Sequence, residues 1–198
     1  MNHSLDEQRA IFCQNRFLAM PLTGAIVWAL IGIIALFADE MVKTYAVWFG
    51  CGSIFYLAII VAKFTGEDFF GKHRPNNPFD RLFMGTIVMC LCMFAIVIPF
   101  ATYDHTAVPL GVGILAGLMW IPFSWIIQHW VGYFHAAART IGVLVVWYLF
   151  PEHRFEAISL VIVVIYVISI YAQERRYTLI KKTATNIVNS KLDTTTGA

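Results

Sequence analysis

Six long apolar runs, separated by short polar segments, constrain this chain more than any other feature of its sequence. They cover residues 17–38, 43–63, 82–102, 108–127, 132–150 and 157–172. About 20 helical residues cross a hydrocarbon layer of about 30 Å, and the first four runs reach that length. Only helices and closed barrels span lipid, and these runs lack the alternation of barrel strands. The sequence therefore predicts an all-α integral membrane bundle of six transmembrane helices.

The composition is that of a chain that lies in lipid. Charged residues make up 13% of the 198 residues, against about 25% in a soluble domain, which is too few to cover a water-facing surface.

Ser4 and Glu7 match a capping box, which predicts a short helix over residues 5–16. The polar end, 189–198, predicts fraying. The predicted parts are a cytoplasmic segment at 1–16, a transmembrane domain at 17–173 and a basic cytoplasmic tail at 174–198.

Lysine and arginine are divided very unequally between the two sides of the predicted bundle. Of the 14 such residues, only Lys43 and Arg154 fall on one side. The others are Arg9, Arg16, Lys63, Lys72, Arg74, Arg81, Arg139, Arg175, Arg176, Lys181, Lys182 and Lys191. Because the basic side of a membrane protein faces the cytoplasm, we predict a multi-pass protein of the cell's inner (plasma) membrane with both termini cytoplasmic.

Small residues and one proline distinguish the second and fourth helices. Gly113 and Gly117 are four residues apart, a spacing that lets helix backbones approach closely in lipid, and Ala46 and Gly50 repeat it. These pairs predict packing within the chain, and a homodimer face or a thin pore wall is the alternative. Pro122 has no amide hydrogen, so it predicts a kink in the fourth helix.

The stretch "WIIQHWVGYFHAAAR", residues 125–139, places four polar side chains in an apolar region. On the predicted topology it forms the cytoplasmic hinge between the fourth and fifth helices. Gln128 and His129 then lie at the membrane interface, and Trp125 and Trp130 belong to the aromatic belt found there.

Two polar residues of this stretch lie beyond the interface. His135 and Arg139 are four apart and share one face of the fifth helix. Arg139 either extends back to the lipid headgroups or is buried with a partner inside the bundle. Asp80, at the start of the third helix, is our choice of partner because a residue that caps a helix has a fixed position.

These residues suggest a ligand-binding or gating site at the cytoplasmic mouth. In this hypothesis Arg139 attracts an anionic group, His129 and His135 hydrogen-bond that group and make its binding depend on pH, and Asp80 orients Arg139. The full set is Arg139, His135, His129, Asp80, Trp125, Gln128 and Trp130, with the two tryptophans as walls of the site.

Absent features narrow the chemistry. No span has an acidic residue near its centre, whereas carriers driven by protons or sodium usually do. Arginine and histidine suit an anion, a phosphate or a lipid headgroup. No HExxH, Walker, GxGxxG or GxSxG motif occurs, the histidines do not converge, and the net charge of +2 gives no reason to expect nucleic acid. We predict no catalytic residue, no metal site and no cofactor, although a membrane hydrolase stays open.

Two stretches, "NPFDRLFMGTIVMCLCMFAIVIPF" and "GLMWIPFSWIIQHWVGYFHAAARTIGVLVVWYLFPEHRF", resemble a family of small bacterial inner-membrane proteins of unknown function. The resemblance covers residues 77–156. It implies a polytopic bacterial membrane protein, and it carries over no activity and no site residues.

Two classes of function remain. The first is a small transporter or channel for an anionic or polar small solute, with the Arg139 cluster as its site. The second is a membrane protein that transports nothing, such as a lipid-headgroup sensor or an accessory or assembly subunit. Its basic cytoplasmic face would bind anionic lipid headgroups. A cavity that reaches Arg139 favours the first class, and an Arg139 that faces lipid favours the second.

Overall fold

The computed structural model describes residues 4–68 and 77–196, and within these ranges the chain is all-α and has no strand. Lys72 and Arg74 of the predicted basic loop lie outside the described residues. Short 3₁₀ turns at His105–Ala107 and Pro151–His153 precede α6 and α9. The α-helices are α1 (Leu5–Cys13), α2 (Ala19–Ala35), α3 (Glu40–Thr65), α4 (Pro78–Cys92), α5 (Phe94–Ala101), α6 (Val108–Gly117), α7 (Trp120–Ile127), α8 (Val131–Leu149) and α9 (Arg154–Thr196).

Four helical segments among the described residues are long and apolar enough to cross a membrane, against the six predicted. They are Glu40–Thr65, Pro78–Ala101, His105–Ile127 and Pro151–Thr183. The other two predicted spans correspond to α2 and α8. α2 is apolar but has only 17 residues. α8 has 19 residues, and His135 and Arg139 make it more polar than the other four. Four apolar helices of spanning length indicate a membrane protein.

The N-terminal helix begins at the predicted capping box. Ser4 Oγ accepts a hydrogen bond from the amide of Glu7 at 3.2 Å, and the Glu7 carboxylate accepts from the amide of Ser4 at 2.8 Å. Each side chain thus satisfies a backbone donor that the first helical turn leaves free. The helix expected over residues 5–16 is confirmed, and it ends at Cys13.

The helix predicted as the fourth span is broken near its middle. α6 ends at Gly117 and α7 begins at Trp120. Pro122 has no amide hydrogen to donate to the carbonyl of Leu118, and that carbonyl accepts from the amide of Ile121 at 3.1 Å instead. The break therefore lies one turn before the proline and separates two short helices that both pack on α8.

α9 is the longest helix and lies at the centre of the packing. It contacts α2, α6 and α8, and Ile158 and Ile162 on it have no exposed surface. Its 43 residues make it about 65 Å long, roughly twice the hydrocarbon thickness. It contains the predicted sixth span. α9 continues in helical conformation to Thr196, past residue 189, where the sequence predicts fraying.

Ion pairs collect at the two ends of the bundle. At one end Arg16, just before α2, donates to both carboxylate oxygens of Glu174 on α9, at 2.9 and 2.7 Å. At the other end Lys43 on α3 pairs with Glu156 on α9 at 2.6 Å. Apolar side chains cover the region between them, as expected for a bundle whose middle lies in lipid.

The closest approach of α7 to α8 depends on Gly132. A Cβ atom there would overlap the carbonyl oxygen of Trp120 and lie 2.7 Å from Ser124 Cβ. We expect Gly132→Ala to lower the free energy of unfolding by about 1–3 kcal/mol, because backbone atoms must move to admit the methyl group. Thermal unfolding in detergent measures the effect. Gly85→Ala is the matched control, since a Cβ at that position meets nothing within 4 Å, and equal melting temperatures for the two variants would contradict the packing argument.

Candidate functional site: a cavity that ends at a buried arginine

A cavity of about 390 Å³ runs into the bundle from the end that carries Arg16, and we call it the central cavity. Along α9 its wall extends from Tyr177 to Tyr166, and along α4 from Asp80 to Leu91. At 1.5 Å per residue, each of these distances is about 16 Å. Its volume is that of a site for a small organic molecule. Aromatic side chains form much of the wall, among them Phe12, Phe17, Trp28, Phe83, Trp120 and Phe123.

Arg139 lies in the wall at the inner end of the central cavity. Its side chain is 1% exposed, so it is buried in the bundle and does not extend to the headgroups. Its Nε donates to the carbonyl of Gly113, and its Nη1 donates to the hydroxyl of Tyr166 at 3.1 Å. Its Nη2 has no hydrogen-bond partner among the described residues. The guanidinium is thus held by two neutral acceptors.

Two glycines of α6 make room for this side chain. A Cβ at Gly117 would lie 2.9 Å from Arg139 Cδ, and the carbonyl of Gly113 accepts from Arg139. A Cβ at Gly113 would also meet Ile162 and Val143 at 3.3 Å. The spacing of these two glycines therefore serves contacts inside the chain, where they let α6 approach α8 and α9. Gly50 packs in the same way against α2.

Aromatic rings surround the guanidinium on two sides. Arg139 Cζ lies 5.5 Å from the ring centre of Trp28 and 5.4 Å from that of Tyr166. The negative face of an aromatic ring attracts a cation, and this attraction grows where water is excluded. The rings offset part of the free-energy cost of burying the charge. No carboxylate among the described residues forms an ion pair with Arg139, so its formal +1 charge is not neutralised.

A half-buried carboxylate, that of Glu67, lies at the mouth of the central cavity and holds two segments together there. Glu67 lies just past α3, and its carboxylate accepts from the amides of Leu18 and Ala19, at 3.1 and 2.9 Å. It thereby caps the start of α2, which has no side-chain cap of its own. Burial raises the pKa of Glu67, and hydrogen bonds from Thr65 and from these two amides oppose that rise.

The raised pKa of Glu67 predicts a pH-dependent stability. A folded-state pKa above the ordinary 4.5 means that folding favours the protonated acid. The stability from this group is therefore full below pH 4.5 and falls as the pH rises through the folded pKa. We expect the melting temperature of the wild type, relative to Glu67→Gln, to decrease from about pH 4 to about pH 8. Glu152→Gln at an exposed position is the control, and a difference that is flat or increases with pH would contradict the assignment.

Asp80, the predicted partner of Arg139, lies elsewhere in the central cavity. It is in the first turn of α4, whereas Cys90, further along the same helix, lies within electrostatic reach of Arg139. The helix rises about 15 Å between the two, so the carboxylate and the guanidinium are at opposite ends of the cavity. Arg139 is bound by a carbonyl and a hydroxyl instead, and Asp80 does not orient it.

His135 is fully buried and packs beside Arg139. Its ring stacks on Trp120 at 4.0 Å and meets the edge of Tyr166 at 4.8 Å. Its Nδ1 lies 2.9 Å from Ser169 Oγ, and this hydroxyl donates its own hydrogen to the carbonyl of Ile165. Nδ1 must then be the donor, which leaves Nε2 without a partner among the described residues. The geometry gives His135 a role in holding Trp120 and Tyr166 in place.

The remaining predicted residues lie at the α7–α8 turn, outside the wall of the central cavity. Gln128 ends α7 in the left-handed conformation (φ 52°) and donates to the carbonyl of Trp125 at 2.7 Å. Trp125 is exposed and carries the guanidinium of Arg9 4.4 Å from its ring centre. His129 lies against the exposed Trp130, and burial and then the charge of Arg176 lower its pKa. These side chains shape the turn and do not reach Arg139.

Three residues that meet at the central cavity were missed from the sequence. Trp28 and Tyr166 contact Arg139 from α2 and α9. Gln173 is 3% exposed, lies in the cavity wall, and has neither amide atom hydrogen-bonded within the described residues. A glutamine directly after an apolar run was the one available signal, and only the packing of α9 shows that it faces inward.

The fold and this site define the class: an all-α membrane protein whose bundle encloses a cavity with a buried cation at its inner end. The sequence profile described as "Family of unknown function (DUF7010)" matches residues 7–174. The chain therefore belongs to this family, and the match extends the resemblance found at 77–156 on both sides. Neither the curated proteins nor the solved structures contain a match to the chain.

Proposed function

We propose that this protein binds an anionic solute in the central cavity and moves it across the membrane. The observation that carries the proposal is Arg139. It is a buried cation with no carboxylate partner among the described residues, it lies in the wall of the cavity, and one of its nitrogens has no acceptor. Burying a charge without a counter-ion is costly, and an anion in the cavity would remove that cost.

The electrostatics of the cavity support selectivity for anions. At an effective dielectric constant of about 20, an anion 4 Å from the guanidinium gains about 4 kcal/mol before its own desolvation is counted. A guanidinium also binds carboxylate, sulfonate or phosphate oxygens through parallel hydrogen bonds. A cation would meet repulsion of the same size at the inner end.

Transport, rather than binding alone, draws support from the shape of the bundle. The central cavity starts at one end and stops at mid-depth, where α6 and α7 are interrupted between Gly117 and Trp120. Interrupted helices with a site near the middle of the membrane are common in carriers, because movement at the break can open the opposite side. In this proposal the break is the moving part.

We also propose the topology. α2 packs lengthwise against α3 and α9, and α8 against α6 and α9, so both are assigned as crossings, which makes six. The exposed basic residues Arg175, Lys181 and Lys182 extend from the end where the cavity opens. By the positive-inside rule that end is cytoplasmic, and so are both termini. The inner (plasma) membrane of a cell is the proposed location.

A flux assay tests the proposal. The full chain is reconstituted in liposomes, and uptake of labelled benzenesulfonate, which stays ionised and does not leak as a neutral acid, is followed. We expect uptake above empty liposomes, and a decrease of about 10- to 100-fold with Arg139→Gln, since a charged hydrogen bond contributes about 1.5–3 kcal/mol. Arg154→Gln at the other end is the control. Uptake of tetraethylammonium, or equal uptake by wild type and Arg139→Gln, would refute selection of anions by Arg139.

A second function is favoured by the exposed cations of α9. Arg175, Lys181 and Lys182 lie beyond the bundle and could bind anionic headgroups at about 1 kcal/mol each. The protein would then be a lipid sensor or an accessory subunit that transports nothing. Binding to anionic vesicles that is lost when these three residues are replaced by glutamine, together with no flux of benzenesulfonate, would favour this function.

A further inference from the structure

Two buried polar groups without partners lie in the wall of the central cavity, one at its inner end and one nearer its mouth. Arg139 Nη2 is the first, and both amide atoms of Gln173 are the second. Each side chain is at most 3% exposed. A buried donor or acceptor left unsatisfied costs about 1–3 kcal/mol. A ligand in the cavity that hydrogen-bonds to both groups would remove both costs.

The spacing of the two groups follows from α9. Arg139 donates to Tyr166, and Gln173 lies two turns later on the same face of that helix. Side chains seven residues apart lie one above the other, about 10 Å apart along the axis. We take this rise of about 10 Å as the length that a ligand spans from the guanidinium to the amide.

The wall between the two groups is apolar. Phe17, Trp120 and Phe123 line the cavity with Phe12 and Phe83, and Phe17 and Phe123 meet edge to face with ring centres 5.2 Å apart. A ligand that fills this region gains by burying carbon, at about 25 cal/mol per Å². Its middle section should therefore be hydrocarbon or aromatic.

The charge of the ligand is set by the two ends. Arg139 is one uncompensated charge, so one negative charge neutralises the inner end. Near the mouth, Glu67 and Asp80 are acidic and line the cavity. Arg16, the cation in the same part of the wall, is paired with Glu174, so the two acids would repel a second negative charge placed there. Gln173 can both donate and accept, which suits a hydroxyl or an amide.

From these observations, and resting on the proposed function above, we infer the substrate class. It is an amphiphilic organic monoanion that has an acid group at one end, an apolar body, and a neutral hydrogen-bonding group about 10 Å away. Arg139 binds the acid and Gln173 binds the neutral end. Both a water-soluble organic acid and a membrane-dissolved fatty acid share this chemistry.

The test uses two series of straight-chain monocarboxylates, one ending in a methyl group and one in a hydroxyl, and measures Kd by titration of the full chain in nanodiscs. We expect the ω-hydroxy acid whose ends are about 10 Å apart to bind about 3- to 10-fold more tightly than its ω-methyl counterpart. Shorter and longer ω-hydroxy acids should show less gain. Gln173→Leu should abolish the advantage of the hydroxyl, so that the ω-methyl acid binds at least as tightly as the ω-hydroxy acid, and Arg139→Gln should weaken both.

The two proposals fail in different ways. If no carboxylate binds, or if Arg139→Gln binds them equally well, the proposed function fails. If carboxylates bind through Arg139 but the hydroxyl gives no gain, or the gain survives in Gln173→Leu, only the substrate class is overturned. Repeating the titration at two lipid-to-protein ratios identifies the source. A Kd that is the same at both ratios when expressed as aqueous concentration indicates a soluble acid. A Kd that is the same when expressed as mole fraction in lipid indicates a fatty acid, and either result supports the substrate class.

Discussion

Arg139→Met is expected to leave the bundle as stable as the wild type or more stable, and to abolish anion binding. The reason is that Arg139 is buried with two neutral acceptors and no carboxylate. Replacing buried charges by apolar side chains of similar size is often neutral or stabilising by about 1–4 kcal/mol. The hydroxyl of Tyr166 and the carbonyl of Gly113 each lose a hydrogen-bond donor, and each loss reduces the gain in stability by about 1 kcal/mol.

The measurement is a pair of curves for wild type and Arg139→Met: thermal unfolding in detergent, and titration with benzenesulfonate. Arg154→Met is the control, because Arg154 packs over Trp147 at 4.1 Å and donates to Thr106 at 2.7 Å at the opposite end of the bundle. It should lower stability slightly and leave binding unchanged. A loss of 3–5 kcal/mol in Arg139→Met, about the cost of breaking a buried pair, would mean that the arginine serves the fold and not a ligand.

His135 is expected to contribute strongly to the stability of the bundle near the site. His135→Ala removes a fully buried ring that stacks on Trp120 and Tyr166 and donates to Ser169. It should cost about 2–4 kcal/mol from the cavity and the lost contacts. His135→Phe keeps the stacking, and Ser169 still has its bond to Ile165, so it should cost less than about 1.5 kcal/mol.

The same pair of variants decides what His135 does. If it positions Trp120 and Tyr166, His135→Phe retains binding of benzenesulfonate with a Kd within about threefold of the wild type. If His135 contacts the anion, the His135→Phe variant is as stable as expected, yet it loses anion binding and the pH dependence of that binding. Unfolding curves and titrations between about pH 5 and pH 8, the range in which histidine ordinarily titrates, separate the two roles.

The all-α class can be predicted from the sequence because it follows from local patterns within each helix. The long apolar runs, the capping box at Ser4 and Glu7, and the break near Pro122 each depend on neighbours within a few residues. The length of α9 was underestimated, since hydropathy marks where lipid ends and not where a helix ends. For α2 and α8, hydropathy and length alone are not enough to identify a span, because α2 is short and α8 is more polar. Their positions depend on the helices that pack against them.

The candidate site was predictable only in part. Arg139 stands out because an arginine in an apolar run is rare. A buried cation usually has an acidic partner, so the sequence favours Asp80, whereas the structure supplies a carbonyl, a hydroxyl and two aromatic rings. Trp28, Tyr166 and Gln173 come from distant helices. Which face of each helix turns inward depends on packing across the bundle, and one sequence does not contain that.

The central claim is that the cavity admits charged solutes and that Arg139 selects anions, and thiol labelling tests it most directly. Cys90 lies in the cavity wall within reach of the charge on Arg139, and Cys13, Cys51 and Cys92 can be replaced by alanine to leave it as the sole cysteine. Its reaction rates are measured with an anionic and a cationic methanethiosulfonate of similar size, each relative to a free thiol. We predict a faster reaction with the anionic reagent, and the loss of that preference in Arg139→Met. No reaction with either reagent, or a preference unchanged by Arg139→Met, would contradict it.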